Sequence, residues 1–354
     1  MLRNHNWIAV LLLAGVACLS ACSTSPSHFA YVTLSNNQLA AYNVDNTTGL
    51  LTPLAGSPYP TGVFPGSIVL HPSGKFAYVA NTGEGDVSVY TINAATHALH
   101  EVQRALTQTN PTSLALTPDG GELFTSNSGS GTLSIFSVDP RTGLLTEIPG
   151  SPFSCGLSPD ALAISSAKVL YVADASANVV FGFAIDPSSG GLTAAPGSPI
   201  PAGGRSPTSV AIDSSGKFLY ITNLLSNTIS GFTIGSGGRL TPIAGSPFAT
   251  AAGPISVAAA PSGEFIYVAN QGANSVSQYA LGPEGVPSLA AGSPVRVGRS
   301  PVFVAPDVNG KLVFVGNGLS SSLSELSVSN GGLTKAAQSP YATASAPTAV
   351  ATTK

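Results

Sequence analysis

Short apolar runs separated by turn residues fill the chain, and residues 207–247 show the pattern well. Pro207-Thr208-Ser209-Val210-Ala211-Ile212 reads as a small-residue strand, here called A. Ser215-Gly216 supplies a turn, where Gly can take the positive φ that other residues avoid. Phe218-Leu219-Tyr220-Ile221-Thr222-Asn223 is predicted as strand B and Ile229-Ser230-Gly231-Phe232-Thr233-Ile234 as strand C. Leu240-Thr241-Pro242-Ile243, followed by Gly245-Ser246-Pro247, is predicted as strand D, an outer edge where Pro is tolerated. No segment interrupts these runs with 3.6-residue periodicity, so α/β folds are disfavoured.

The unit repeats. An aromatic opening a small apolar strand recurs at Tyr31, Tyr78, Phe124, Tyr171, Tyr220, Tyr267 and Phe314, at spacings of 46 to 49 residues. Four strands per unit at that period predict an all-β, seven-bladed propeller with four-stranded blades. A β-helix would need much shorter repeats. Phe29-Ala30-Tyr31-Val32 opens the array as a B strand, and Pro347-Thr348-Ala349-Val350-Ala351 ends it as an A strand. The C-terminal strand should therefore complete the first blade and leave no open edge.

Composition narrows the function. Charged residues are 8% of the chain, against about 25% in an ordinary soluble domain. With 13 Lys and Arg and no basic block, the chain has no footprint for nucleic acid. Hydrophobic residues reach 43% and net charge is −3, which excludes disorder. Collagen is excluded too, because the 39 Gly have no three-residue period.

A slightly basic start (Met1 to Asn6) and an apolar run from Trp7 to Val16, too short to span a bilayer, read as a secretory signal. It ends in Leu19-Ser20-Ala21-Cys22, which resembles the lipobox of bacterial lipoproteins. The resemblance implies cleavage before Cys22 and lipidation of its thiol. The expected organisation is a signal peptide over 1–21, a lipidated tether over 22–27 and the propeller over 28–354. The expected address is the bacterial envelope, periplasmic or outer-membrane. Cleavage would leave Cys155 alone beside the lipidated Cys22, so no disulfide framework is expected. The first strand begins at the end carrying the A–B turns, here the lower face. We therefore expect the lower face toward the membrane and the upper face, with B–C turns and D–A connections, away from it.

Tyr78-Val79-Ala80-Asn81, Tyr220-Ile221-Thr222-Asn223 and Tyr267-Val268-Ala269-Asn270, with the Gly-Ser-Pro of strand D, resemble the Tyr-Val-Thr-Asn repeat of lactonase-like propellers. That family includes bacterial 6-phosphogluconolactonase and carboxy-muconate cyclase relatives, and the resemblance spans about residues 28–354. Its enzymes carry a Gly-Pro-Arg-His stretch entering one inner strand and an Asn-Arg-Gly turn. Here the strand entrances read Asn110-Pro111-Thr112-Ser113, Ser206-Pro207-Thr208-Ser209 and Gly253-Pro254-Ile255-Ser256, and the turn reads Asn270-Gln271-Gly272. No catalytic residue carries across.

Polar residues that recur in register should be structural, while those unique to a blade are functional candidates. Asn81, Asn127, Asn223, Asn270 and Asn317, with Asp174 in the same place, are expected to satisfy B–C turn backbone through Asx-type bonds. His97, His100 and Glu101 are expected on a solvated outer rim of strand D in blade 2. Three-residue spacing on a strand points the imidazoles apart and excludes a shared metal. His71 is expected to be a satisfied structural histidine. Glu84 and Asp86 share a Gly-rich turn, but Ca²⁺ needs six or more oxygens, so a structural role is expected.

Arg205, Arg296 and Arg299 stand out among the few cations. Arg205 and Arg299 precede Ser-Pro at inner-strand entrances, and Asp160 follows Pro159 at another. These four are the candidate ligand-binding residues, able to hold a carboxylate or phosphate at the upper mouth. No Gly-x-Ser-x-Gly elbow, His-Glu-x-x-His, Cys-x-x-Cys or phosphate loop occurs, and neither a metal nor a cofactor is expected. Two functions remain open. One is a tethered module binding a small anionic ligand or an envelope protein; the other is a lactonase, a 6-phosphogluconolactonase-like hydrolase or cycloisomerase, acting on an unphosphorylated lactone at the upper mouth. The expected partners also include the membrane, through the Cys22 lipid.

Overall fold

The computed structural model describes residues 27–329 and 331–353. Cys22 and the segment before it lie outside the described residues. The strands form seven antiparallel sheets, each a blade in the order A-B-C-D, and the seven A strands contact one another in a closed inner ring. The ring closes as the pattern predicts. The first B strand (Ser27–Leu34) pairs with the last A strand (Pro347–Thr352), with Val32 opposite Val350.

Blades pack through buried apolar layers, and the repeated aromatic adds a polar link at its tip. Tyr78, Tyr171 and Tyr220 are fully buried, and their hydroxyls donate to Gly143, Gly238 and Gly285 carbonyls in neighbouring C–D turns, at 3.0, 3.1 and 2.6 Å. Each such bond satisfies a buried phenol and a turn carbonyl that would otherwise be costly to leave unpaired. The inner ring is stitched by small hydroxyls. Ser67, Ser113, Ser209 and Ser256 each accept a backbone N–H from the next A strand, from Leu114, Leu162, Val257 and Val304.

Strand D departs from the prediction. In six blades it is broken into two pieces around a cis Ser-Pro bond, and both pieces pair with strand C. The break leaves one strand C amide without a backbone partner, and the serine supplies one. Ser57, Ser151, Ser198, Ser246, Ser293 and Ser339 accept from Ala41, Ile135, Gly182, Gly231, Gln278 and Glu325. Blade 2 lacks Gly-Ser-Pro and keeps a continuous strand D, Leu99–Leu106.

The repeated asparagines are structural, but by a different route from the one expected. Their Nδ2 groups donate to strand C hydroxyls seven residues on: Ser88, Ser134, Ser230, Ser277 and Ser324. The buried amide thus ties strand B to strand C. Asp174, which has no N–H to give, alone makes the Asx turn, accepting from Ser176 and Ala177.

Blade 7 holds a group that the repeat does not predict. Glu325 is fully buried on strand C, and among the described residues neither carboxyl oxygen has a hydrogen-bond partner. It pairs with Phe314, one of the two repeated aromatics without a hydroxyl, and lies against Gly49 of blade 1. Burial, then nearby Asp307, pushes its pKa up to about 8. Gln278 occupies the same register in blade 6 and donates to the Gly331 carbonyl at 3.1 Å.

Candidate functional site

The upper end of the channel is ringed by the second residue of each A strand. The ladder shifts register there in every blade, leaving this residue outside the regular pairing. The seven are Gly66, Thr112, Asp160, Thr208, Ile255, Val302 and Thr348. Thr112, Thr208 and Thr348 donate to the next blade's carbonyls, those of Asp160, Ile255 and Pro65. Their hydroxyls therefore tie three neighbouring pairs of A strands together. Asp160 is its one ionisable member, and burial, then Asp174, pushes its pKa up to about 6.

Around this ring, each D–A connection meets a B–C turn by a backbone bond. Two of these junctions share a side-chain set. In blade 5 the Arg205 N–H donates to Ser226 Oγ (2.8 Å), and its carbonyl accepts from Leu225 (3.2 Å). Blade 7 repeats this with Arg299, Ser320 and Leu319, at 2.7 and 3.2 Å. The backbone is thereby pinned, and each arginine and leucine side chain stands in solvent, Leu225 at 61% and Leu319 at 68% exposure. Blade 6, between them, has Ala252 and Gly272 at the equivalent positions. Two Arg-Leu walls thus flank a low floor.

Arg296 is exposed on the outer strand of the same blade, where Val295–Arg296 pairs with Ser275 and Val276. It stands at the rim, so the structure does not bring it to the mouth as expected. Among the described residues, none of these three arginines makes an ion pair, and no carboxylate of blades 5 to 7 sits on the upper face. Asp213, Glu264, Glu284 and Asp307 lie in lower turns, and Glu325 is buried. The acids of the upper face belong to blades 2 and 4. Glu84 and Asp86 are bound by Arg104 at 2.5 and 3.8 Å, so a guanidinium fills the place considered for Ca²⁺. Asp160 and Asp174 are on blade 4. The upper face is cationic over blades 5 to 7, and its acids lie on blades 2 and 4. Its exposed large apolar groups are Phe64, Leu106, Leu157, Leu225 and Leu319.

The remaining sequence candidates fall elsewhere. Cys155 is buried in its D–A connection, and burial, then Asp174, pushes its thiol up to about 12, so it is no nucleophile. His71 caps its own A–B turn: Nδ1 accepts the Ser73 N–H at 3.1 Å and meets Ser73 Oγ at 2.8 Å. His100 is exposed on strand D, and Glu101 binds Arg104 at 2.8 Å. His97 departs from the expectation. It precedes strand D, in the lower C–D turn, half-buried with its ring stacked on Phe29. Sequence reasoning also missed His28, whose Nδ1 donates to Asn46 at 2.5 Å and whose Nε2 is 3.7 Å from Asp307. Its place at the chain's first strand, outside the repeat comparison, hid it.

The seven-bladed lactonase family model matches residues 25–156, 153–249 and 239–352. Among solved structures, the periplasmic gluconolactonase of Pseudomonas aeruginosa superposes with TM-score 0.81 at 20% identity, covering 93% of this chain and 99% of the other. A putative 6-phosphogluconolactonase of Bacteroides uniformis gives 0.79 at 19%, covering 92% and 99%. Virginiamycin B lyase of Staphylococcus aureus is more distant, at 0.54 and 13%, covering 79% and 84%. At these identities the structures speak to the fold. No curated protein matches the chain. A repeat-built ring, closed by its own C-terminal strand and matched by the family model over nearly all of its length, places the chain in the lactonase family of seven-bladed β-propellers.

Proposed function

We propose that this protein is a lipid-anchored envelope module that binds an anionic, partly apolar ligand on its upper face. Cys22 would carry the lipid and the short tether after it would hold the lower face toward the membrane. The observation that carries the reading is the sector over blades 5 to 7, where Arg205 and Arg299 stand beside exposed leucines with no carboxylate to neutralise them. Guanidinium groups there can grip a carboxylate or phosphate, and the leucines can cover the apolar part of the same molecule. A fatty acid with a short chain is the simplest probe. Octanoate should bind the full-length protein saturably, and its affinity should fall as salt is raised from 0.05 to about 0.5 M, since exposed charges are screened. Binding indifferent to salt would remove the arginines from the account.

A second reading, lactone opening at the same mouth, is favoured by Asp160. A carboxyl raised to about 6 is close to the range in which a general base works at neutral pH. It could take a proton from the attacking water while the arginines receive the product carboxylate. The P. aeruginosa neighbour, a periplasmic gluconolactonase, supports this alternative by analogy. A panel of unphosphorylated lactones assayed with the wild type and Asp160→Asn decides it. Turnover abolished by the substitution supports hydrolysis, and equal turnover sets Asp160 aside.

A further inference from the structure

The lower face carries a feature that the upper-mouth reading leaves unused. Where blades 7, 1 and 2 meet, Phe29, Leu70, His71, His97, Val308 and Thr353 line a cavity of about 350 Å³. Among the described residues, no Asp, Glu, Lys or Arg lines it, so the space suits an uncharged ligand.

His97 is the distinguishing residue. It sits at φ +55°, in the left-handed region, where the other six blades have Gly49, Gly143, Gly190, Gly238, Gly285 and Gly331. A side chain there is strained, and such strain persists only where the surroundings over-determine it. Here they do. The His97 N–H donates to Asn93 at 2.8 Å, and its carbonyl accepts the Tyr31 hydroxyl at 3.0 Å. The ring lies on Phe29 with centroids 3.5 Å apart and planes 18° apart. The imidazole is thus held rigidly at the cavity wall, yet among the described residues neither of its nitrogens makes a hydrogen bond. Burial lowers its pKa, keeping it neutral, with one donor and one acceptor to offer. His71, across the cavity, is already committed through Nδ1 to Ser73, and its Nε2 lies against Gly120 of blade 3.

Size sets the ligand class. An apolar cavity of about 150 Å³ takes up benzene, so roughly twice that volume accepts two fused rings. We propose that this cavity binds a neutral bicyclic aromatic molecule with one hydroxyl, its rings among Phe29, Leu70 and Val308 and its hydroxyl on the His97 imidazole. This site is separate from the anionic-ligand sector and does not depend on it.

The probe is 2-naphthol, uncharged at pH 7, followed by its fluorescence on titration with the full-length protein. Saturable binding is expected, with affinity reduced at least tenfold in His97→Gly. Glycine suits the positive φ, so this variant should melt no lower than wild type. Arg205→Ala/Arg299→Ala should bind 2-naphthol as the wild type does. Naphthalene-2-sulfonate, the charged analogue, should not compete. A measurement on the unaltered chain complements the variant: imidazole ¹⁵N resonances of His97 should move with added 2-naphthol while those of exposed His100 stay. Binding that survives in His97→Gly, is lost in the arginine variant, or leaves the His97 resonances unmoved would overturn the site, as would no saturation.

Discussion

The two faces of this propeller use their charges differently. On the lower face, the turn aspartates are spent on the backbone. Asp139 accepts from Arg141 and Thr142, Asp186 from Ser188 and Ser189, and Asp213 from Ser215, Lys217 and Phe218. Asp307 likewise caps its turn through Lys311 and Leu312. On the upper face of blades 5 to 7, backbone and small side chains hold the loops together, which leaves Arg205 and Arg299 free. Where a repeat satisfies its turns with carboxylates, those carboxylates cannot also serve a ligand. Where the backbone serves itself, side chains are available.

This contrast can be broken at several points. The largest effect should come from removing residues 345–354, which deletes the strand Pro347–Thr352 and opens blade 1. Thermal unfolding should fall by more than about 10 °C or lose its cooperativity, because an exposed inner edge replaces a full ladder. A truncated chain that melts as the wild type does would contradict the closure.

Next in size is Asp213→Ala, expected to cost about 2–3 kcal/mol in urea unfolding, since the N–H groups of Ser215, Lys217 and Phe218 lose a charged acceptor. A neutral result would mean that the lower-face carboxylates are not holding the turns.

The Glu325 effect depends on pH. Its folded value, about 8, exceeds the ordinary 4.5, so the folded state binds more protons between those limits. Stability should therefore fall as pH rises through that window, by about 1.4 kcal/mol per unit of pH from this group, and level off above pH 8. Asp160 acts in the same direction between about 4 and 6. Asp119 and Asp186, held near 2, matter only below about pH 4, with opposite sign. Glu325→Gln should flatten the profile between pH 6 and 8, because an amide needs no proton and Gln278 already works in that register. An unchanged slope in the variant would assign the pH dependence elsewhere.

The smallest stability effect should belong to the upper arginines. Arg205→Ala and Arg299→Ala should each change unfolding by less than about 0.5 kcal/mol. A larger loss would make them structural and erase the difference between the faces.

Much of this was legible in the chain, because repetition compares each residue with its counterparts. The aromatic spacing reveals the blades, and a chain that starts on strand B and ends on strand A reveals the closure. Arg205 and Arg299 stood out as departures from the repeat, and the structure adds the leucine and serine that accompany each. What was not legible depends on partners far apart in sequence. Strand D looked continuous because nothing local shows that Ser246 serves the Gly231 amide. Glu325 carries no repeat signal of its own; Gly49 of another blade and Phe314 of the paired strand create its burial. Arg296 looked equivalent to its neighbours, but strand position put it on the rim.

The central claim, that the cationic sector over blades 5 to 7 receives an anionic ligand, is tested most directly by calorimetric titration of octanoate into three proteins. These are the wild type, Arg205→Ala/Arg299→Ala, and Arg239→Ala, which removes a lower-face arginine as a control. The account predicts an affinity lowered at least tenfold in the double variant and unchanged in Arg239→Ala. Equal affinity in all three, or a loss in Arg239→Ala matching that of the double variant, would contradict it.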